Sequence, residues 1–339
     1  MNGRKPSGFT FRVIADNTKD LATFAPYVPT VDAAGAVFFQ ATLKDGTSAV
    51  LAGDGDGLRT VVATRGSSLR EVVSHPAVSS SGTVTFYADD PMGERGAYSA
   101  HQGVVRRLAT DDGLALRNVG PLGPTMNETG WIAFRTNGPE GRQRVCLAAN
   151  GHVTTIAETG VLFAAFHGLP LATRDGVVFR GDLHDGTQTI CASHAGELRI
   201  VSDTRGSLRS IGRFPSANQG GTTVFTGELA DGSGGIFTAG TDGHVALVPF
   251  AWRGTLRGAL VDGRGRVVFY GSPDGGRLGI FDGEDPGNSP ILTFGDSLQG
   301  STVADFALNP VSVNESGQLA LRVSLTDGRE LVLRATRDG

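Results

Sequence analysis

Short apolar runs broken by glycine-centred turns recur from one end of the chain to the other, and none carries a 3.6-residue period long enough for a helix. The clearest unit is Asn127-Glu-Thr-Gly130-Trp-Ile-Ala-Phe134, a turn with Gly130 at its tip, entered by one apolar strand and left by another. Six further copies align on their glycines: residues 31–39 around Gly35, 78–86 around Gly82, 172–179 around Gly176, 217–225 around Gly221, 261–269 around Gly265 and 313–321 around Gly317. Successive glycines lie 44 to 52 residues apart. Five copies place a proline six residues before the glycine (Pro29, Pro76, Pro124, Pro170 and Pro215), where a strand can begin without losing a ladder hydrogen bond.

Each copy continues with turn signals for two more strands. Asp45-Gly46, Asp185-Gly186, Asp231-Gly232, Asp274-Gly275 and Asp327-Gly328 follow the aligned glycine and predict tight hairpins with both central residues at positive φ. A second set follows at Asp54-Gly55, Gln102-Gly103, Asn150-Gly151, Ala195-Gly196 and Asp242-Gly243. Several short strands per period, with the period in the forties, predict an all-β, seven-bladed β-propeller with four antiparallel strands per blade. The seventh copy stops after its third strand, and residues 9–15 form a strand with no other home. The N-terminal strand therefore closes the last blade and protects its edge.

The 339 residues thus make a single propeller domain, and the 50 glycines are those its turns require. A net charge of −4 gives no long-range attraction to nucleic acid or to an anionic membrane. No window approaches a membrane-spanning length of apolar residues and no signal peptide follows Met1, so a cytoplasmic, monomeric protein is expected. Cys146 and Cys191 occupy matching slots in the third strands of neighbouring blades, as small buried side chains.

The octet from Asn127 to Phe134 resembles the bacterial tandem-repeat family named for Asn-x-x-Gly-x-x-Ala-Phe, and residues 314–320 match all but the final Phe. The proline-strand-turn order also resembles TolB-type and WD-repeat blades. The resemblance covers the whole chain and implies a propeller. It says little of function, because propellers bind, scaffold and catalyse alike.

In that fold the loop joining one blade's fourth strand to the next blade's first strand opens at the central funnel, and these loops are the default ligand site. They fall at residues 16–28, 64–75, 110–123, 158–169, 202–214, 249–258 and 294–309. Four share a glycine followed after one or two residues by Leu-Arg, ending at Arg70, Arg117, Arg209 and Arg257, and Arg213 follows in the fifth. Guanidinium groups at one mouth suit a carboxylate or phosphate, or they pair with loop carboxylates. His75 and His167 precede Pro76 and Pro170 closely and are the candidate acid/base pair, with hydrogen-bonded loop histidines as the alternative. Tyr27, Trp252 and Asn309 complete the candidate lining. His101, His152, His194 and His244 belong to the opposite face, and the repeat phenylalanines to the interblade core. Gly53-Asp-Gly-Asp-Gly57 is a hairpin turn, not a calcium loop. No nucleotide, redox or nucleophile-elbow motif is present, so no cofactor is expected, apart from the option of a divalent metal held by acidic side chains in the funnel. The residues point to a cofactor-free enzyme of lyase, cyclase, isomerase or hydrolase type acting on an anionic or polar small molecule in the funnel. The alternative is a non-catalytic propeller that binds a protein or glycan.

Overall fold

The computed structural model describes residues 8–108, 118–194, 196–240, 243–249, 252–284 and 290–338. Seven antiparallel sheets follow one another along the chain, each built from the strands of one sequence copy. Two short 3-10 turns, Pro139–Gly141 and Pro310–Ser312, are the helical elements among the described residues. Blade 3 shows the plan at its simplest: Thr125–Met126 innermost, then Ile132–Asn137, Gln143–Ala149 and His152–Glu158, each paired with the next.

The apolar pattern is explained by two-sided burial. Phe38 packs with Val50, Val84 and Phe86 toward blade 2, while Phe39 packs with Phe24, Ala320 and Val332 toward blade 7. Seven apolar clusters result, one at each blade interface, and no blade owns a core of its own. The repeat aromatics Phe39, Phe86, Phe134, Phe179, Phe225 and Phe269 are buried, as is Leu321 in the seventh copy. Cys146 and Cys191 are buried free thiols in their expected third strands.

Closure is as the sequence predicts. Phe9–Asp16 pairs antiparallel with Glu330–Arg337, from Phe9 opposite Arg337 to Asp16 opposite Leu331, and becomes the outer strand of blade 7. The hairpins differ in one respect. In the Asp-Gly turns only the glycine has positive φ, as at Gly46. Asp45 instead accepts a hydrogen bond from the Thr47 N–H on its own carboxylate, which gives a longer turn with a bulge in place of the two-residue hairpin. Gln102-Gly103 and Asn150-Gly151 do carry positive φ at both residues.

The asparagine of the Asn-x-x-Gly turn has a double role. Asn127 Oδ1 accepts from the N–H groups of Thr129 and Trp131, which holds its own turn. Its Nδ2 donates to the Thr173 carbonyl of blade 4 at 2.8 Å. Asn218 does the same toward Asp262 of blade 6, and Asn314 toward Asp32 of blade 1. Asp32 and Asp262 stand at the equivalent place in blades 1 and 6. A carboxylate there caps the turn but has no donor for a neighbour.

Two stability outcomes follow. Deleting residues 1–16 uncovers the Glu330–Arg337 edge and removes buried Phe9 and Ile14, so thermal unfolding should fall by about 5 kcal/mol or more in stability, with aggregates in light scattering. An unchanged, monodisperse protein would contradict the closure argument. Asn127→Asp should cost about 1 kcal/mol in urea unfolding, by losing the interblade donor alone, and Asn127→Ala about twice that.

Candidate functional site: the connection face and the closed channel

The inner strand of each blade runs along the axis between two faces. One face carries the blade-to-blade connections and the Asp-Gly hairpins. The other carries the repeat-glycine turns. The inner strands extend further toward the connection face than the sequence suggested. Much of three expected connections is strand: Phe163–Ala172, Leu208–Ile211 and Gly254–Val261. Register irregularities bend these strands, as between His167 and Leu171 and between Leu256 and Gly258. The Leu-Arg pattern is therefore in part strand alternation. Leu69 and Leu208 point into the interfaces and are buried, while Arg70, Arg209 and Arg257 are exposed. Arg117 lies outside the described residues.

Toward the turn face, the channel cavity is lined by all seven blades, through Thr30, Ala77, Thr125, Leu171, Ala217, Val261 and Val311 among others. It encloses about 90 Å³, enough for a few waters and well short of the several hundred Å³ that a small-molecule site needs. Hydrogen bonds across the ring narrow its outer end. Ser80 N–H and hydroxyl donate to the Glu128 carbonyl, Glu128 N–H donates to Gln219 Oε1, and Gln219 N–H donates to Glu315 Oε1 at 2.9 Å. The bonds at Gln219 link blades 3, 5 and 7, skipping blades 4 and 6, so they span chords of the ring. Burial raises the Glu315 pKa, helped by nearby Glu128 and Asp262.

The predicted site residues separate on the structure. His75 lies inside the blade 2–3 interface, not at the mouth, and is only 2% exposed. Its Nδ1–H donates to the Pro76 carbonyl at 3.2 Å, which leaves Nε2 as a buried acceptor without a partner among the described residues. The fit is close: a Cβ at Gly123 would lie 2.5 Å from that nitrogen. Burial pushes the imidazole pKa down to about 4. Trp252 is not lining either. Its ring packs edge-on against Phe269 and Phe281 in the blade 5–6 core. Asn309 caps the Pro310–Ser312 turn through Oδ1, which accepts from the Val311 N–H. Tyr27 is half-buried in the field of Arg95, Glu71 and Asp89, and its pKa is raised chiefly by burial.

His167 remains accessible, with 22% of its side chain exposed. Its Nε2 lies 2.7 Å from Asp182 Oδ2, and Arg180 Nη1 donates to Asp182 Oδ1 at 2.6 Å. Burial opposes ionisation of Asp182, but the hydrogen bonds from Arg180 and His167 prevail and lower its pKa. The carboxylate is thus charged, Nε2 carries the proton, and Nδ1 is the free acceptor. Gly168, at φ +61°, packs against the Arg213 backbone of blade 5, so His167 and exposed Arg213 flank one junction. Arg209 is exposed beside Glu228, and Arg257 is exposed near Tyr270. His75 and His167 share neither the channel cavity nor the three interblade clefts.

Sequence reasoning passed over Arg180 and Asp182, and Arg135, which reaches the Phe166 carbonyl of blade 4 through Nη1. The signal was available. The residue after each repeat Phe, or after Leu321, is Gln40, Tyr87, Arg135, Arg180, Thr226, Tyr270 and Arg322, a polar column beside the apolar core. Among the described residues no group of three His, Cys, Asp or Glu could hold a metal, and no helix is long and apolar enough to cross a membrane.

No family model matches the chain, and no curated protein matches it in sequence. It is similar to solved structures. An oligogalacturonate lyase from Vibrio parahaemolyticus aligns with a TM-score of 0.60 at 10% identity over 96% of each chain. An oligogalacturonate lyase in complex with manganese aligns at 0.58 and 11% identity over 97% of each chain. A Mycobacterium tuberculosis puromycin-hydrolyzing peptidase aligns at 0.56 and 15% identity, covering 98% of this chain and 54% of that one. The chain thus spans about half of the peptidase. At these identities the likeness establishes the propeller fold, and the named tandem-repeat family stays a resemblance in the residues.

His75 gives a pH prediction. Its folded pKa of about 4 lies below the 6.5 of an exposed histidine, so the unfolded chain binds more protons between those values. Stability contributed by the neutral ring is full above pH 6.5 and should fall by about 3 kcal/mol as pH drops to 4. Urea unfolding across that window should be visibly flatter for His75→Gln, and an NMR titration midpoint near 6.5 for His75 would contradict the buried assignment.

Proposed function

We propose that the connection face around blades 4 to 6 binds an anionic or polar small molecule and acts on it by proton transfer, with His167 as the acid/base. The observation that carries this reading is the 2.7 Å hydrogen bond between His167 Nε2 and Asp182, itself held by Arg180. The carboxylate orients the ring through Nε2, so Nδ1 takes a proton from the substrate and returns it. Arg213, with Arg209 and Arg257 further along the inner strands, supplies charge for a carboxylate whose adjacent carbon becomes carbanion-like as the proton leaves. A lyase or isomerase reaction needs these parts and no redox group. His75 contributes a rigid neutral wall and not a proton. Support comes also from the whole-chain likeness to proteins named as oligogalacturonate lyases, whose named substrate is a polycarboxylate. The described residues offer no donor set for a metal such as the manganese in one of those structures, and the reading uses the chain's own side chains throughout.

A second reading is favoured by one feature of the same face. Met92, Leu122, Val161, Leu162 and Phe214 are exposed there, Met92 at 87% and Val161 at 85%. A protein or glycan docking on blades 2 to 5 would cover them.

The test is turnover of a panel of uronates and hydroxycarboxylates by wild type, His167→Ala and Asp182→Asn. The expected loss in kcat is about 100-fold or more for His167→Ala, with a smaller loss for Asp182→Asn. Turnover unaffected by His167→Ala would remove the proton-transfer role.

A further inference from the structure

The turn face holds a second feature, far from the His167 junction in the fold. A cleft of about 320 Å³ opens between blades 4 and 5. Its floor is apolar, made by Val178, Ala192 and Val201. Its rim is rich in hydrogen-bond donors from both blades. Ser193 Oγ accepts from the Val177 N–H, so its own proton is free to donate. Arg199 is exposed and spends one N–H on Glu197, which leaves the rest of its fork. His194 stands beside them.

Blade 5 adds a backbone donor. The residue before the repeat glycine is Ala34, Ser81, Thr129, Asp175, Arg264 or Ser316 in the other blades, but Gly220 here. In blades 3, 6 and 7 the N–H of that residue is taken by the turn's Asn or Asp side chain. Asn218 Oδ1 receives the Thr222 N–H, as its counterparts receive those of Trp131, Arg266 and Gln318, but no hydrogen bond from the Gly220 N–H is found among the described residues. Gly220, with no side chain, lines the cleft.

We propose that this cleft is a binding site for a small monocarboxylate with an apolar body. The carboxylate takes the Gly220 N–H, the Ser193 hydroxyl and Arg199, and the hydrocarbon lies on Val178, Ala192 and Val201. The Asp175 carboxylate on the same rim disfavours a second negative charge on the ligand. The site goes beyond the proton-transfer reading and does not depend on it.

The experiment is calorimetric titration of the full chain with hexanoate, hexanol and hexylamine, together with amide NMR spectra. Hexanoate should bind, the alcohol and amine should bind about tenfold more weakly or not at all, and the Gly220 amide resonance should move. Arg199→Ala, at an exposed position, should weaken hexanoate about tenfold. Ala192→Phe fills the floor and should abolish binding. His167→Ala should leave hexanoate affinity unchanged, which separates this site from the connection face. Hexanol binding as well as hexanoate, hexanoate affinity unmoved by Arg199→Ala, or no binding at all would overturn the proposal.

Discussion

Each blade buries both faces of its sheet against its neighbours, so the smallest unit with a core is the whole ring. The seven apolar clusters each draw residues from two adjacent blades. A four-stranded sheet standing alone would leave one repeat aromatic and its partners in water on each side. This is why the chain repeats one aromatic position with so little variation, and why its two ends must meet in blade 7.

The two faces of the ring solve different problems. On the turn face the backbone itself is the structure: Asn side chains cap their own turns and reach the next blade. The tips of blades 3, 5 and 7 then join across the axis. What remains of the channel is a small enclosed space. At about 90 Å³ it falls short of the several hundred Å³ that a small-molecule site needs. On the connection face the inner strands bend, polar residues follow the repeat aromatics inward, and exposed arginines stand next to a histidine with its own carboxylate.

The buried polar column is the feature that most separates this ring from a plain spacer. Arg180 is 2% exposed, and placing a guanidinium there is unfavourable unless its partners are well held. Asp182 and the Gly181 carbonyl are those partners. The carboxylate that accepts from Arg180 Nη1 also meets the ring of His167.

Strand count, blade number, the turn glycines and closure by residues 9–15 were legible in the sequence, because each is a local pattern repeated at a constant interval. Burial of the two cysteines was legible for the same reason. The site was legible only in part. The Leu-Arg motif looked like a loop signature, yet Leu208 and Arg209 alternate across a strand, and periodicity over so few residues does not distinguish the two. His75 and His167 occupy similar places before their prolines. One sits in a dry interface against Gly123 and the other beside Asp182, a carboxylate fifteen residues away on the neighbouring strand. Trp252 met Phe269 and Phe281 for the same kind of reason. Residue type and spacing along the chain determine which strands exist and which side chains can face inward. Dielectric, partner and access at a given side chain depend on atoms brought from other strands and other blades, and only the folded ring supplies those.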